Sequence, residues 1–237
     1  MPIALITGAS RGLGRAIGVE LARRGWSIIA DARTETDLAD AAAELEAAGA
    51  TQLVTRAGSI ADAAHRDDLL GVVAALGGLD LLVNNASHLG PSPQPRLADY
   101  PLGELELVYA VNVFAPHALT RLLLPALRDR EGCIVNVTSD AAVEPYDGWG
   151  GYGSSKAALD QWTAILAAEE PDLRVYALDP GDMRTGMHQQ AFPGEDISDR
   201  PEPETVVPAF VRLLEGDRPS GRYRGSELVE APAEVLA

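Results

Sequence analysis

Short apolar runs alternate with longer amphipathic stretches along almost the whole chain. PIALIT precedes an amphipathic stretch at 12–24, SIIAD precedes 35–48, TQLVT precedes 61–76, and LDLLVN precedes 103–128. CIVNVTS, then 152–169, LRVYALD and 204–215 continue the alternation. Runs this short and uniformly apolar suit strands covered on both faces, each followed by a stretch long enough for a crossover helix. The pattern predicts an α/β fold: a doubly wound parallel sheet (Rossmann fold) with helices on both faces and any ligand at the carboxyl ends of the strands. GRYRGSELVE predicts a last strand. With no internal repeat and no dividing linker, 1–237 is expected to be a single domain.

Two segments break the alternation. Residues 86–102 carry Pro91, Pro93, Pro95 and Pro101, and residues 181–203 carry Pro193, Pro201 and Pro203. Both leave the carboxyl edge of the expected sheet, so both are expected to be active-site loops; surface insertions without a role are the alternative.

Composition narrows the function classes. No apolar run reaches the roughly 18 residues of a membrane helix, and MPIALITG lacks a basic leader, so a cytoplasmic protein with no membrane partner is expected. A formal charge of −16, from 19 Lys and Arg against 35 Asp and Glu, argues against nucleic acid and anionic lipid. Cys133, within CIVNV, reads as a small buried hydrophobe. His65, His88, His117 and His188 show no metal-ligand spacing, so no metal is expected.

The chemistry concentrates in three places. In TGASRGLG at 7–14 the first strand ends at Thr7 and a helix opens near Gly12, which aims unpaired N–H groups and the positive helix end at one point. Gly8, Gly12 and Gly14 suit the tight turn, the close approach of a pyrophosphate and the close packing of the helix. At the end of the second run, Asp31 could accept from a ribose 2′-OH, favouring NAD(H), whereas Arg33 with Arg11 could clasp a 2′-phosphate; two forked cations favour NADP(H) provided that Asp31 points away. Tyr152 and Lys156, four residues apart on one helix face, put an ammonium near a phenol and are expected to lower its pKa. Ser139, ending CIVNVTS, stands where it could hydrogen-bond a substrate oxygen. Asn112 precedes Pro116 by four residues, so its carbonyl lacks a helical donor; a kink is expected there, with a water on the freed carbonyl.

In this order and across nearly the whole chain, these residues resemble the short-chain dehydrogenase/reductase family, single-domain branch, with its TGxxxGxG and YxxxK motifs. NNAS at 84–87 resembles the family's NNAG element. The resemblance implies a catalytic tetrad at Asn112, Ser139, Tyr152 and Lys156, and a cofactor turn at Gly8, Ser10, Arg11, Gly12, Leu13 and Gly14. It implies further cofactor contacts from Arg33, Ser59, Ile60, Asn85 and Ala86, from Tyr152 and Lys156, and from Pro180, Gly181, Met183 and Thr185. Arg11 and Arg33 match positions typical of NADP-preferring members, while the acid of NAD-preferring members falls on Ala32.

Three departures stand out: Ser59 where an adenine-side Asp is common, Ser87 for the last glycine of NNAG, and GSELVEAPAEVLA for a Gly-rich ending. The implied activity is an NADP(H)-dependent oxidoreductase interconverting a ketone or aldehyde and its alcohol, with Tyr152 as general acid or base and a homodimer or homotetramer assembled through the helices of Asn112 and Tyr152. Alternatives are a non-catalytic NADP(H)-binding sensor or scaffold, an NAD-dependent alcohol dehydrogenase, and dehydration or epimerisation on the same scaffold. His88, Tyr100, Tyr146, Trp149, His188 and Phe192 are candidates to line a substrate pocket or to pack its loops.

Overall fold

The computed structural model describes residues 1–230. The strands are β1 (Ile3–Thr7), β2 (Ser27–Ala32), β3 (Leu53–Ala57), β4 (Leu81–Asn84), β5 (Cys133–Val137), β6 (Arg174–Asp179) and β7 (Gly221–Arg224). They pair in parallel in the order β3-β2-β1-β4-β5-β6-β7. Winding reverses between β1 and β4, so the crevice of this sheet opens beyond Thr7 and Asn84.

Alternation along each strand divides two cores. From β1, Ala4 and Ile6 face one side with α1 (Gly12–Arg23), α2 (Glu35–Ala47) and α8 (Val207–Glu215), while Ile3 and Leu5 face the other. That second side holds α3 (Ala63–Leu76), α5 (Ala115–Arg128) and the end of α6 (Gly150–Glu169). Because the inner strands β2, β1, β4, β5 and β6 are covered twice, they are buried almost throughout and read as mainly apolar runs, while the edge strands β3 and β7 are half-exposed.

Four expectations need correction. The last run is a strand only over Gly221–Arg224; Gly225–Glu230 is a helix, α9, whose Leu228 packs into the first core. Residues 231–237 of the chain's ending lie outside the described residues. The segment 181–203 is not structureless, because Thr185 accepts a bond from the His188 N–H at 3.1 Å and caps a short helix, α7 (Gly186–Ala191). The stretch at 103–128 is α4 (Leu102–Tyr109), a π-helical turn at Ala110–Phe114, and α5. Pro116 offers no N–H to the Asn112 carbonyl, and the ladder widens, with the Ala115 N–H reaching back to the Ala110 carbonyl. Contrary to the expectation from run lengths, this continuous stretch Leu102–Arg128 is long and apolar enough to cross a membrane. In the fold its Leu119, Leu123 and Leu127 are fully buried against the sheet.

The join between β1 and α1 is tight. A Cβ on Gly14 would stand 2.5 Å from the Gly8 carbonyl oxygen and from the Asn85 amide nitrogen. Gly14→Ala is therefore expected to cost about 1–3 kcal/mol through overpacking. Gly71, on α3 with open space at its Cβ, is the control: Gly71→Ala should gain up to about 1 kcal/mol. Thermal unfolding of the two variants should move in opposite directions.

Candidate active site

A cleft of about 750 Å³ lies along the carboxyl ends of the strands. Its floor is the turn after β1, with Gly8, Ser10, Arg11, Gly12 and Leu13. Gly8 and Gly12 have φ of 67° and 55°, which an L side chain adopts only with strain. No side chain caps the N-terminus of α1, so its first N–H groups remain free for an anion. Arg33, Ser59 and Ile60 line one end; Asn85, Ala86, Pro180, Gly181, Met183 and Thr185 line the remaining walls. Gly14 does not line the cleft, because it is buried beneath the turn.

Asp31 belongs to the cleft wall but is buried there rather than displayed. Its side chain is 2% exposed, and Oδ1 lies 2.5 Å from Nε2 of His65 on α3. Arg11 and Arg33 are exposed at the cleft and form no hydrogen bond or ion pair among the described residues. Two uncommitted guanidinium groups and an open helix end fit a phosphorylated dinucleotide.

At the other end, α6 presents Tyr152 and Lys156 one turn apart, both buried. Gly153 lets this helix press on the segment after β5, since a Cβ there would be 2.6 Å from the Ala141 carbonyl oxygen. That approach brings Tyr152 against Ser139. Ser139 Oγ donates to Asp140 at 3.0 Å and accepts from the Ala141 N–H at 3.2 Å. Lys156 Nζ donates to the Val137 carbonyl at 2.8 Å and stands 5.5 Å from the centre of the Tyr152 ring.

Burial pushes the Tyr152 phenol up to about 12, assisted by the charges of Asp140 and Asp179 and opposed by the Ser87 and Ser139 hydroxyls. The expected lowering by Lys156 is not found. The ammonium is spent on Val137, and burial pulls Lys156 itself down to about 8 against the attraction of Asp160.

Asn112 is engaged through its side chain rather than displayed in the cleft, where it forms no wall. Its Oδ1 accepts from the His88 N–H at 2.8 Å and from Ser87 Oγ at 3.2 Å, while Nδ2 donates to the His88 carbonyl and to Ser155 Oγ, each at 2.9 Å. All four of its hydrogen-bonding positions are used. It thus pins the segment after β4 to α6. Arg222 on β7 performs a similar service, donating to Asp160, Asp179 and the Ser139 carbonyl at 2.9, 2.9 and 3.0 Å. The spacing of the motifs gives no sign of either network, since each partner comes from a different element.

Beyond Tyr152 the wall is aromatic. The Trp149 ring lies 5.8 Å from Tyr152, 5.9 Å from Phe192 and 6.2 Å from Tyr146, and His188 stacks on Phe192 at 4.8 Å. Tyr146, Trp149, His188 and Phe192 all line the cleft, as does His88. Burial, then the charge of Arg33, holds His88 below the usual imidazole range, and its Nε2 is buried without a partner among the described residues. Tyr100 does not line the cleft and instead packs across Gly90 and Gly151. Leu89, Met187 and Ala191 complete the wall, the last two from α7, which the sequence pattern did not reveal. Among the described residues, no group of three or more His, Cys, Asp or Glu side chains could hold a metal ion.

Comparison with known proteins decides the family. The model of the short chain dehydrogenase family matches residues 2–196. The chain belongs to that family. Membership makes it an oxidoreductase acting on CH–OH and C=O groups. Mouse sepiapterin reductase is 37% identical, with 80% of this chain and 77% of that protein aligned. The Saccharomyces cerevisiae benzil reductase, described as (S)-benzoin forming, is 33% identical over 99% of this chain and 88% of its own length. Among solved structures, a short-chain dehydrogenase from Pseudomonas syringae superposes with a TM-score of 0.88 at 33% identity, covering 94% of this chain and 93% of that one. One from Shigella flexneri, complexed with NADP, gives 0.88 at 28% identity, covering 95% and 97%.

Proposed function

We propose that this short-chain dehydrogenase is an NADP(H)-dependent oxidoreductase that interconverts a carbonyl and its alcohol, with Tyr152 as the proton donor to the carbonyl oxygen. One observation carries the reading: buried Tyr152 and Lys156 share a cleft with an uncapped helix start and the uncommitted Arg11 and Arg33. Bound NADP(H) would supply or accept the hydride. The turn from Gly8 to Leu13 would hold the pyrophosphate, and Arg11 and Arg33 a 2′-phosphate. Lys156 would bind ribose hydroxyls, and Ser139 would donate to the substrate oxygen as negative charge develops there. Asn112 positions Ser87, His88 and Ser155 around these groups. A neutral phenol at working pH is the right form for delivering a proton.

The substrate is best read as an uncharged aryl carbonyl. Trp149, Phe192, Tyr146 and His188 offer aromatic faces, and the acids beside them, Asp140, Asp147 and Asp182, offer a carboxylated substrate no cation, since Arg96 and Arg200 are paired with Asp147 and Asp182. The names of the mouse and yeast relatives accord with such a substrate. A homo-oligomer is supported by exposed Leu102, Leu107, Phe114 and Ile165 on the two helices expected to carry it.

Steady-state assays with a panel of aryl, alkyl and carboxylated ketones test this. NADPH-dependent reduction should be fastest for neutral aryl ketones. Below about 8, Lys156 keeps its proton, and Tyr152 keeps its own up to about 12. The reduction rate should accordingly be level below pH 8 and fall as pH rises through it, because Lys156 then loses the charge that would hold the cofactor ribose. Binding of NADPH without its oxidation by any carbonyl would favour a sensor instead.

A further inference from the structure

Asp31 and His65 form a buried acid–imidazole pair that the chemistry above does not use. Asp31, next to last in β2, forms part of the cleft wall near Arg33 and faces the Gly8 N–H. His65 stands behind it, 9% exposed in its side chain, with its ring flat against Gly58: a Cβ there would be 2.2 Å from Nδ1. The pair is thus built into the wall, at the end where Arg11 and Arg33 are free to take a phosphate.

A carboxylate at that position works against a dianionic 2′-phosphate and in favour of a 2′-hydroxyl. A partner that shares a proton with it removes the conflict. We propose that His65, by pairing with Asp31, keeps this end of the cleft free of uncompensated negative charge and is a positioning and specificity-determining residue for the 2′-phosphorylated cofactor. This rests on the NADP(H) reading above and concerns only how the choice is made.

The surroundings determine the sign of the pH dependence. Facing the pair are the carboxylates of Asp62, which caps α3, and of Asp68 on α3, with Arg56 of β3 tied to Asp68 at 2.8 Å. Arg33 and Asp37 lie along the cleft. The hydrogen bond to Asp31, with the charges of Asp31, Asp68 and Asp62, raises His65 above the ordinary imidazole value. Burial raises Asp31 against the pull of His65. Below the raised imidazole value the pair carries one proton and no net charge; above it the pair is an anion beside the phosphate. Preference for NADPH over NADH should thus weaken as pH rises. Lys156, pulled down to about 8, also titrates as pH rises, but it would meet a ribose common to both cofactors and drops out of their ratio.

Calorimetric titration of the purified protein with NADPH and with NADH, without substrate, tests this. The ratio of the two dissociation constants should favour NADPH about tenfold less in His65→Leu than in the wild type, and return to within about twofold in the double variant His65→Leu/Asp31→Asn. As pH rises through the raised imidazole value the wild-type ratio should fall by a similar factor, while Asp31→Asn stays flat. Should His65→Leu fail to fold, the pH series on wild type and Asp31→Asn still decides. An unchanged ratio in His65→Leu, no recovery in the double variant, or a wild-type ratio flat with pH overturns the role of His65 and leaves the cofactor reading intact. Wild-type protein that binds neither nucleotide overturns both.

Discussion

Tyr152→Phe should lower carbonyl reduction by about three orders of magnitude, within the range that a positioned proton donor contributes, while NADPH affinity stays within about twofold. The substitution removes one oxygen and keeps the ring, which is 7% exposed and packs edge-on to Trp149 at 5.8 Å. Loss of rate would then be chemical rather than structural, and an unchanged melting temperature would establish that. Ser139 remains held by Asp140 and the Ala141 N–H in the variant, so polarisation of the substrate oxygen survives. A variant that retains wild-type turnover would move the proton donor elsewhere, and His88, whose buried Nε2 lacks a partner among the described residues, is the first group to test.

The double variant Arg11→Ala/Arg33→Ala should weaken NADPH binding by about a hundredfold and NADH binding by less than about threefold. Hydrogen bonds from a charged donor contribute about 1.5–3 kcal/mol each, and exposure of both side chains places these at the lower end. Neither arginine has a structural partner among the described residues, so their removal should leave the fold intact. Added salt should narrow the gap between the cofactors in the wild type and change little in the variant. Equal losses for NADPH and NADH would mean that the arginines hold the pyrophosphate, not a 2′-phosphate.

Much of the site could be read from local pattern because it is carried by local elements. The glycine turn, the Tyr152–Lys156 spacing and Ser139 at the end of an apolar run each depend on a few consecutive residues, and all come together in the cleft. Cleft-lining Tyr146, Trp149, His188 and Phe192 were legible only as residues of candidate loops. What could not be read is long-range. Asn112 was expected to act through a freed carbonyl, yet its amide bridges the segment after β4 and α6. Arg222 joins β7 to the ends of β5 and β6 from a run whose second half was mistaken for strand. The sign of the Tyr152 shift was also inaccessible, since it depends on how completely the phenol is buried and on where Lys156 spends its bond.

By itself, then, the sequence determined the parallel α/β architecture and the family, because apolar period and glycine placement act over short distances and dictate each element separately. It also named many of the residues that line the cleft, though not correctly for Gly14, Asn112 or Tyr100. Only the tertiary structure decided which face Asp31 takes, what holds it there, and how acidic the buried groups are. Those properties arise from dielectric and hydrogen-bond partners assembled from strands and helices far apart in the chain, and no local pattern encodes them.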